Sequence, residues 1–185
     1  MRYLKWPCIK LTIICACAVL LISAAAKAQT SVIKGINYLN DTTLDFNRLV
    51  NQFKGKVIYV DIWATWCSLC IQELRLKNDI VNFQKFAVKN NVVILYICCD
   101  GKFWKQFISA NRLLGYHILE NRLIKEDLHT TFSSVQTRNG KFKQSFYLPR
   151  HLIIDQNGAV VDSTAQPQGS AIVYSKIGSL LHKGK

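Results

Sequence analysis

The sequence predicts an α/β fold built on a mixed β-sheet flanked by helices, and three observations carry this expectation. Two nearly unbroken apolar runs, residues 56–63 and 91–99, are each followed by a segment of helical periodicity. Late in the chain, two short apolar runs, 151–154 and 159–161, flank Asp155-Gln156-Asn157-Gly158, a turn signal between strands. An amphipathic segment, 170–181, then closes the chain. Strand, helix, strand, helix, hairpin and helix in that order require a sheet with both parallel and antiparallel neighbours.

Taken in order, residues 1–28 read as an export signal. Arg2, Lys5 and Lys10 precede an uncharged, mostly apolar run of 16 residues, 11–26. Ala26-Lys27-Ala28 then fits a small-x-small cleavage site, with Gln29 as the mature start. The run is short for a membrane-spanning helix, which needs about 20 residues; a retained N-terminal anchor is the alternative. Residues 29–185 form one domain. Its first buried strand is Val57, Ile58, Tyr59, Val60 and Ile62, interrupted by one charge, Asp61. Ile71, Leu74, Ile80, Val81 and Phe86 follow at near-helical spacing, with Glu73, Arg75, Lys77 and Asp79 between them, predicting a helix that starts at or just before Cys67. After the second strand, Phe103, Trp104, Phe107 and Ile108 suit another helix.

Composition removes several classes. Half of the 185 residues are hydrophobic and 19% charged, which excludes a disordered chain. Three Pro and nine Gly exclude a collagen-like or linker-rich chain. The formal charge of +13 falls to +9 once Arg2, Lys5, Lys10 and Lys27 leave with the signal, with 20 basic residues against 11 acidic. This reads as a basic solvated surface, because no nucleic-acid docking motif accompanies it. Of seven cysteines, Cys8, Cys15 and Cys17 lie in the signal, leaving Cys67, Cys70, Cys98 and Cys99. Thiols in an oxidising exported compartment pair unless something keeps them reduced.

The chemistry concentrates at Trp66-Cys67-Ser68-Leu69-Cys70. Residues i and i+3 share a helix face, so a C-x-x-C at a helix start brings its sulfurs within reach of each other. Unpaired first-turn N–H groups and the helix dipole favour a thiolate at Cys67. Cys67 is the expected nucleophile, forming a mixed disulfide that Cys70 resolves. The alternative, a static disulfide, is weak because so short a loop restrains the unfolded chain little. Asp61, in an apolar strand, has an expected raised pKa and would take the proton of Cys70; otherwise it points into water or pairs with a lysine. Pro149 follows Phe146-Tyr147-Leu148 and precedes a strand. A cis bond there would offer the backbone of Leu148 as a docking edge beside Cys67, an isomer the sequence leaves open.

Residues 60–70, Val-Asp-Ile-Trp-Ala-Thr-Trp-Cys-Ser-Leu-Cys, resemble the active-site strand and helix start of the thioredoxin superfamily. With residues 51–56 before them, Glu73 after them and residues 148–158 near the end, they resemble more narrowly the exported TlpA/ResA-like thiol-disulfide oxidoreductases. The likeness runs from about Gly35 to Leu181. It implies a thioredoxin-like fold, Cys67 as nucleophile, Cys70 as resolving thiol, Asp61 as the buried acid/base carboxylate, and Pro149 as a cis-proline. Trp66, Leu148 and Pro149 would then meet the substrate. Three positions depart from the family pattern: Leu69 and Arg75 stand where proline is common, and Leu148 where Thr or Val is usual. The first of these leaves the direction of exchange open.

Other features read as ordinary. Cys98 and Cys99 alternate faces on a strand, so one faces the core. His151 is expected to be a surface or strand histidine outside the site, and Trp63 and Trp66 to pack around it. The P-x-x-x-T/S-x-x-C pattern of a peroxidase is absent, with Val60 and Ala64 at those places before Cys67. A zinc site would need a better ligand arrangement than C-x-x-C with adjacent cysteines. The expectation is therefore an exported disulfide reductase, monomeric, with no bound cofactor or metal. Its partners would be exported protein disulfides, apocytochromes among them, and a membrane thiol carrier would resupply electrons. A non-catalytic binding module and a thiol peroxidase are the alternatives.

Overall fold

A computed structural model describes residues 35–138 and 141–183. The signal assigned to residues 1–28 lies outside the described residues. Six strands form one sheet in the order β1-β4-β3-β2-β7-β8, comprising β1 (Ile36–Leu39), β2 (Ile58–Trp63), β3 (Val93–Cys98), β4 (Gly115–Leu119), β7 (Arg150–Ile154) and β8 (Val160–Asp162). The first four strands run parallel to one another, and β7 and β8 add antiparallel edges. The mixed sheet is the one the sequence predicts. A separate two-stranded hairpin, β5 (Ser134–Arg138) with β6 (Lys141–Ser145), precedes the Leu148–Pro149 segment. Its polar, weakly patterned sequence gives no strand signal.

The central strands β2 and β3 are buried at every position, as their continuous apolar runs require. Among the described residues, six helices cover the sheet: α1 (Phe46–Asn51), α2 (Ser68–Leu74), α3 (Lys77–Asn90), α4 (Trp104–Asn111), α5 (Arg122–Phe132) and α6 (Ala171–Lys183). Aromatic side chains join these layers. Tyr59 of β2 meets Phe83 of α3 edge-on at 4.9 Å, and Phe83 meets Tyr174 of α6 at 5.7 Å. Trp63 packs against Phe107 of α4. The helix expected after the C-x-x-C is two helices. Arg75 caps α2, Leu76 leaves helical geometry, and α3 restarts at Lys77, so Ile71 and Phe86 belong to different axes.

One row of residues crosses the sheet in register: Tyr38 of β1, His117 of β4, Tyr96 of β3, Asp61 of β2 and His151 of β7. Partners in register project to the same face, so an otherwise apolar sheet carries a polar rung with Asp61 near its middle. His117 stacks on Tyr96 at 4.7 Å, nearly parallel, and its Nε2 lies 2.8 Å from the Leu113 carbonyl. Burial holds its pKa down at about 4.

Gly115 opens β4 at φ +149°, where a Cβ would stand 2.7 Å from the Ile94 carbonyl oxygen. A side chain there meets backbone, which cannot yield, on a torsion L-residues avoid. Gly115→Ala is expected to lower stability by about 1–3 kcal/mol, read as a lower urea midpoint at unchanged m-value.

Candidate active site

The site begins where β2 ends. From Trp63 the chain turns through Ala64, Thr65 and Trp66 into α2, with Cys67 as the N-cap residue. Thr65 anchors this turn: its backbone N–H donates to Asp100 Oδ2 at 2.6 Å, and its hydroxyl donates to Oδ1 at 2.9 Å. The Cys99 N–H donates to the Trp63 carbonyl at 2.8 Å, tying the end of β3 to the same turn. Asp100 is therefore a positioning residue that sequence reasoning missed; only its place just past a buried strand end pointed to it.

Cys67 and Cys70 are joined by a disulfide, with Cα atoms 5.3 Å apart. The Cys70 N–H donates to Cys67 Sγ at 3.3 Å, so the first turn of α2 presents a backbone donor to that sulfur. This is the arrangement that stabilises a thiolate. Cys67 keeps 7% exposure and Cys70 1%. Around them the surface is apolar: Trp66 is 71% exposed and Leu69 57%. Trp66 thus stands at the surface, while Trp63 is fully buried in the core.

Arg150 pairs across from Ile62, which sets Pro149 next to the end of β2 from which the chain runs on to Cys67. The Leu148–Pro149 peptide is cis. Leu148 packs half-buried against the core, and Tyr147 beside it is exposed.

Asp61 is buried, at 3% exposure, and it neither points into water nor pairs with a lysine. Its two partners come from distant segments of the chain. Gln168 Nε2 donates to Asp61 Oδ2 at 3.1 Å, and His151 Nε2 lies 3.7 Å from Oδ1. The same His151 nitrogen lies 3.2 Å from Glu73 Oε2 on α2. Burial drives the Asp61 pKa up, opposed by the charge of His151 and the Gln168 hydrogen bond. For His151, burial works downward, but the Asp61 and Glu73 carboxylates outweigh it and the net shift is upward. His151 is a strand histidine, as expected, yet it belongs to the site, because the register of β7 on β2 seats it directly opposite Asp61. Glu73 stands one helical turn after Cys70, a spacing that could have flagged it. Gln168 had no sequence signal. A cavity of about 170 Å³ is bounded by Asp61, Glu73, His151, Asp79, Gln168 and Ser170 among others.

Cys98 and Cys99 are unbonded. Cys98 is buried and its Sγ–H donates to the Asp100 carbonyl at 3.1 Å; burial pushes its pKa up to about 12. Cys99 is half-buried and driven higher still, by burial and by Glu120. Neither thiol is disposed to ionise. Among the described residues, no group of three or more His, Cys, Asp or Glu side chains is arranged to hold a metal ion.

A strand feeding a helix capped by a paired C-x-x-C, set in this sheet, defines a class: the thioredoxin superfamily. Within it, residues 26–176 match Redoxin, and the chain belongs to the Redoxin family. A curated thioredoxin from Coprinus comatus is 41% identical over 59 residues, 30% of this chain and 48% of that protein, so the match spans about half of the relative's length. A Bacteroides vulgatus structure assigned as a thiol-disulfide oxidoreductase is 27% identical with a TM-score of 0.53, over 70% of this chain and 81% of that one. A thiol:disulfide interchange protein of the thioredoxin family from Chlorobium tepidum TLS is 19% identical with a TM-score of 0.55, over 71% and 83%. One from a Bacteroides species is 20% identical with a TM-score of 0.53, over 84% and 91%. At these last two identities the likeness is one of fold.

Because burial raises the Asp61 pKa above its ordinary 3.8, the carboxylate destabilises the native state at neutral pH. Below its unfolded-state value both states hold the proton and the penalty disappears; as pH rises through the native value, it grows. Asp61→Asn in the oxidised protein is expected to raise the urea midpoint at pH 7, with the gain gone by about pH 3.

Proposed function

We propose that the chain is an exported disulfide reductase that returns cysteines of exported proteins to the thiol state. The observation that carries this reading is the Cys67–Cys70 disulfide at the N-terminus of α2, on a strand that also holds the buried Asp61. In the reduced protein, the Cys67 thiolate attacks a sulfur of the partner disulfide and expels the other sulfur as a thiolate, which takes a proton from water. Cys70 then loses its proton to Asp61 and attacks Cys67 Sγ. This step forms the Cys67–Cys70 bond and expels the second partner sulfur as a thiolate, which takes a proton from water. Two electrons pass from the dithiol to the partner, and the balance closes with no added cofactor.

The exposed Trp66 and the Leu148–Pro149 segment supply the docking surface: an apolar side chain, and a backbone edge that a partner strand meets. The basic, apolar, basic-flanked start of the chain supports export. Among the described residues, no helix is long and apolar enough to cross a membrane. Outside the cytosol, a membrane-embedded thiol carrier resupplies the electrons, the protein acts as a monomer, and apocytochromes are among the fitting partners.

Two measurements test this. A concerted two-electron transition of Cys67 and Cys70 is expected below roughly −220 mV; a value near roughly −120 mV would reassign the protein as an oxidase. Cys70→Ser is expected to accumulate a mixed disulfide through Cys67, seen by mass, whereas Cys67→Ser forms none. No reversible transition at this pair would leave a binding role.

A further inference from the structure

Away from the disulfide, α3 turns apolar side chains outward. Val81 and Val88 lie two turns apart on one side of the helix and are 44% and 52% exposed. With Leu114, just before β4, they line a groove of about 580 Å³ between α3 and the loop that follows α4. The walls of the groove are tied together: the buried Gln84 side chain donates from Nε2 to the Arg112 carbonyl at 3.1 Å, where Arg112 ends α4. Lys85, Lys89 and Arg112 rim the groove. A smaller hollow of about 270 Å³ shares Val81 and Arg112 and adds Lys77. No aspartate or glutamate lines either space, and among the described residues none of these lysines, nor Arg112, forms an ion pair. Lys85 and Lys89 stand one turn apart, a spacing at which like charges repel.

The smaller hollow is also lined by Leu74, the last residue of α2. The seven residues of α2 separate it from the Cys67 cap. That is about 10 Å along the helix, a distance that a few residues of extended chain cover.

Resting on the exchange reaction proposed above, we infer that this groove is an exosite: it holds an acidic, apolar-rich segment of the protein whose disulfide Cys67 attacks. Three features select this occupant. From Lys77 to Lys89 the cations span about 18 Å of helix, which matches several carboxylates along a chain rather than one anionic head group. The valines line a concavity, whereas docking on a bilayer uses Trp, Phe or Leu side chains that protrude into it. The apolar floor between the cations fits Leu- or Val-type side chains alternating with the acids, as in an amphipathic segment laid in a groove. Opposite charge on the two surfaces also speeds and orients their encounter.

Binding and exchange are tested separately. The binding probe is a fluorescein-labelled amphipathic peptide of Leu and Glu, and its control carries Lys in place of Glu. By anisotropy, the oxidised protein is expected to bind the Glu peptide and not the control. Reversing the rim in Lys85→Glu/Lys89→Glu/Arg112→Glu is expected to weaken binding about tenfold or more, as for three exposed ion pairs lost together. Val81→Asn/Val88→Asn, which keeps every charge, is expected to weaken it about threefold. For exchange, each peptide is joined through an added cysteine to a chromogenic aromatic thiol and offered to the reduced protein. Thiolate release is expected to be faster from the Glu-tailed disulfide than from the untailed one. That advantage is expected to vanish in the charge-reversed variant and at about 1 M salt, where the screening length is about 3 Å. The untailed disulfide is expected to react alike with wild type and both variants, which shows that the variants fold. Equal binding of the two peptides, or binding indifferent to charge reversal, would overturn the exosite. Binding without a rate advantage would also overturn it, because the groove would then serve a partner other than the substrate. Absence of peptide binding, with sedimentation on phosphatidylglycerol vesicles that charge reversal abolishes, would reassign the face to a membrane; a dimer that the valine variant dissociates would reassign it to a second copy. No thiolate release by the wild-type protein from any disulfide would remove the exchange reaction, and the exosite's role with it, whatever the anisotropy shows.

Discussion

The organising constraint is one carboxyl in the middle of an apolar sheet. Burying an ionised carboxylate costs several kcal/mol unless it is paired and hydrogen-bonded. Asp61 sits on β2, between two strands and under helices, almost wholly withdrawn from solvent. The fold answers with groups from elsewhere in the chain: Gln168 from the segment before α6, and His151 from the strand after the cis peptide. Each partner must be delivered by its own element, so the order of β2, α2, β7 and α6 around this point follows from what the carboxyl needs. The Asp61 pKa still rises, which shows that the pairing offsets the desolvation only in part. That residual penalty leaves a group that holds a proton more readily than a fully solvated aspartate does.

The second constraint is the start of α2. A helix beginning at Ser68 leaves first-turn N–H groups without intrahelical partners, and one of them points at Cys67 Sγ. The cap is a sulfur where Ser, Asp or Asn would ordinarily stand. Thr65 and Asp100 hold the preceding turn rigid, so the cap geometry does not depend on the disulfide alone. Burial separates the cysteines by role. Cys67 retains an exposed edge and the N-terminal donor, while Cys70 lies deeper on the core side of α2. Cys98 and Cys99 lack a helix N-terminal donor, and burial pushes the pKa of both thiols up.

Much of this was legible in the residue string. The apolar runs of β2 and β3 are too long and too β-branched for any reading but buried strands, and the spacing of Cys67 and Cys70 dictates that they meet. Asp61 declared itself as the one charge in such a run. The misses share a cause. His151 looked like an ordinary strand histidine because its meaning lies in its register against Asp61, 90 residues earlier in the chain. Gln168 sits in a loop with no periodicity at all. The helix break at Leu76 went unseen because apolar spacing continues across it while the axis does not.

The sequence by itself determined the class of fold, the sulfur pair and the awkward carboxylate, because these rest on local periodicity and on spacing within a helical turn. Only the tertiary structure decided what surrounds that carboxylate. The rung Tyr38, His117, Tyr96, Asp61 and His151 draws one residue from each of five strands. No local pattern encodes it, because strand order and register are set by which faces pack, and a slip of one residue would send every member to the other face of the sheet.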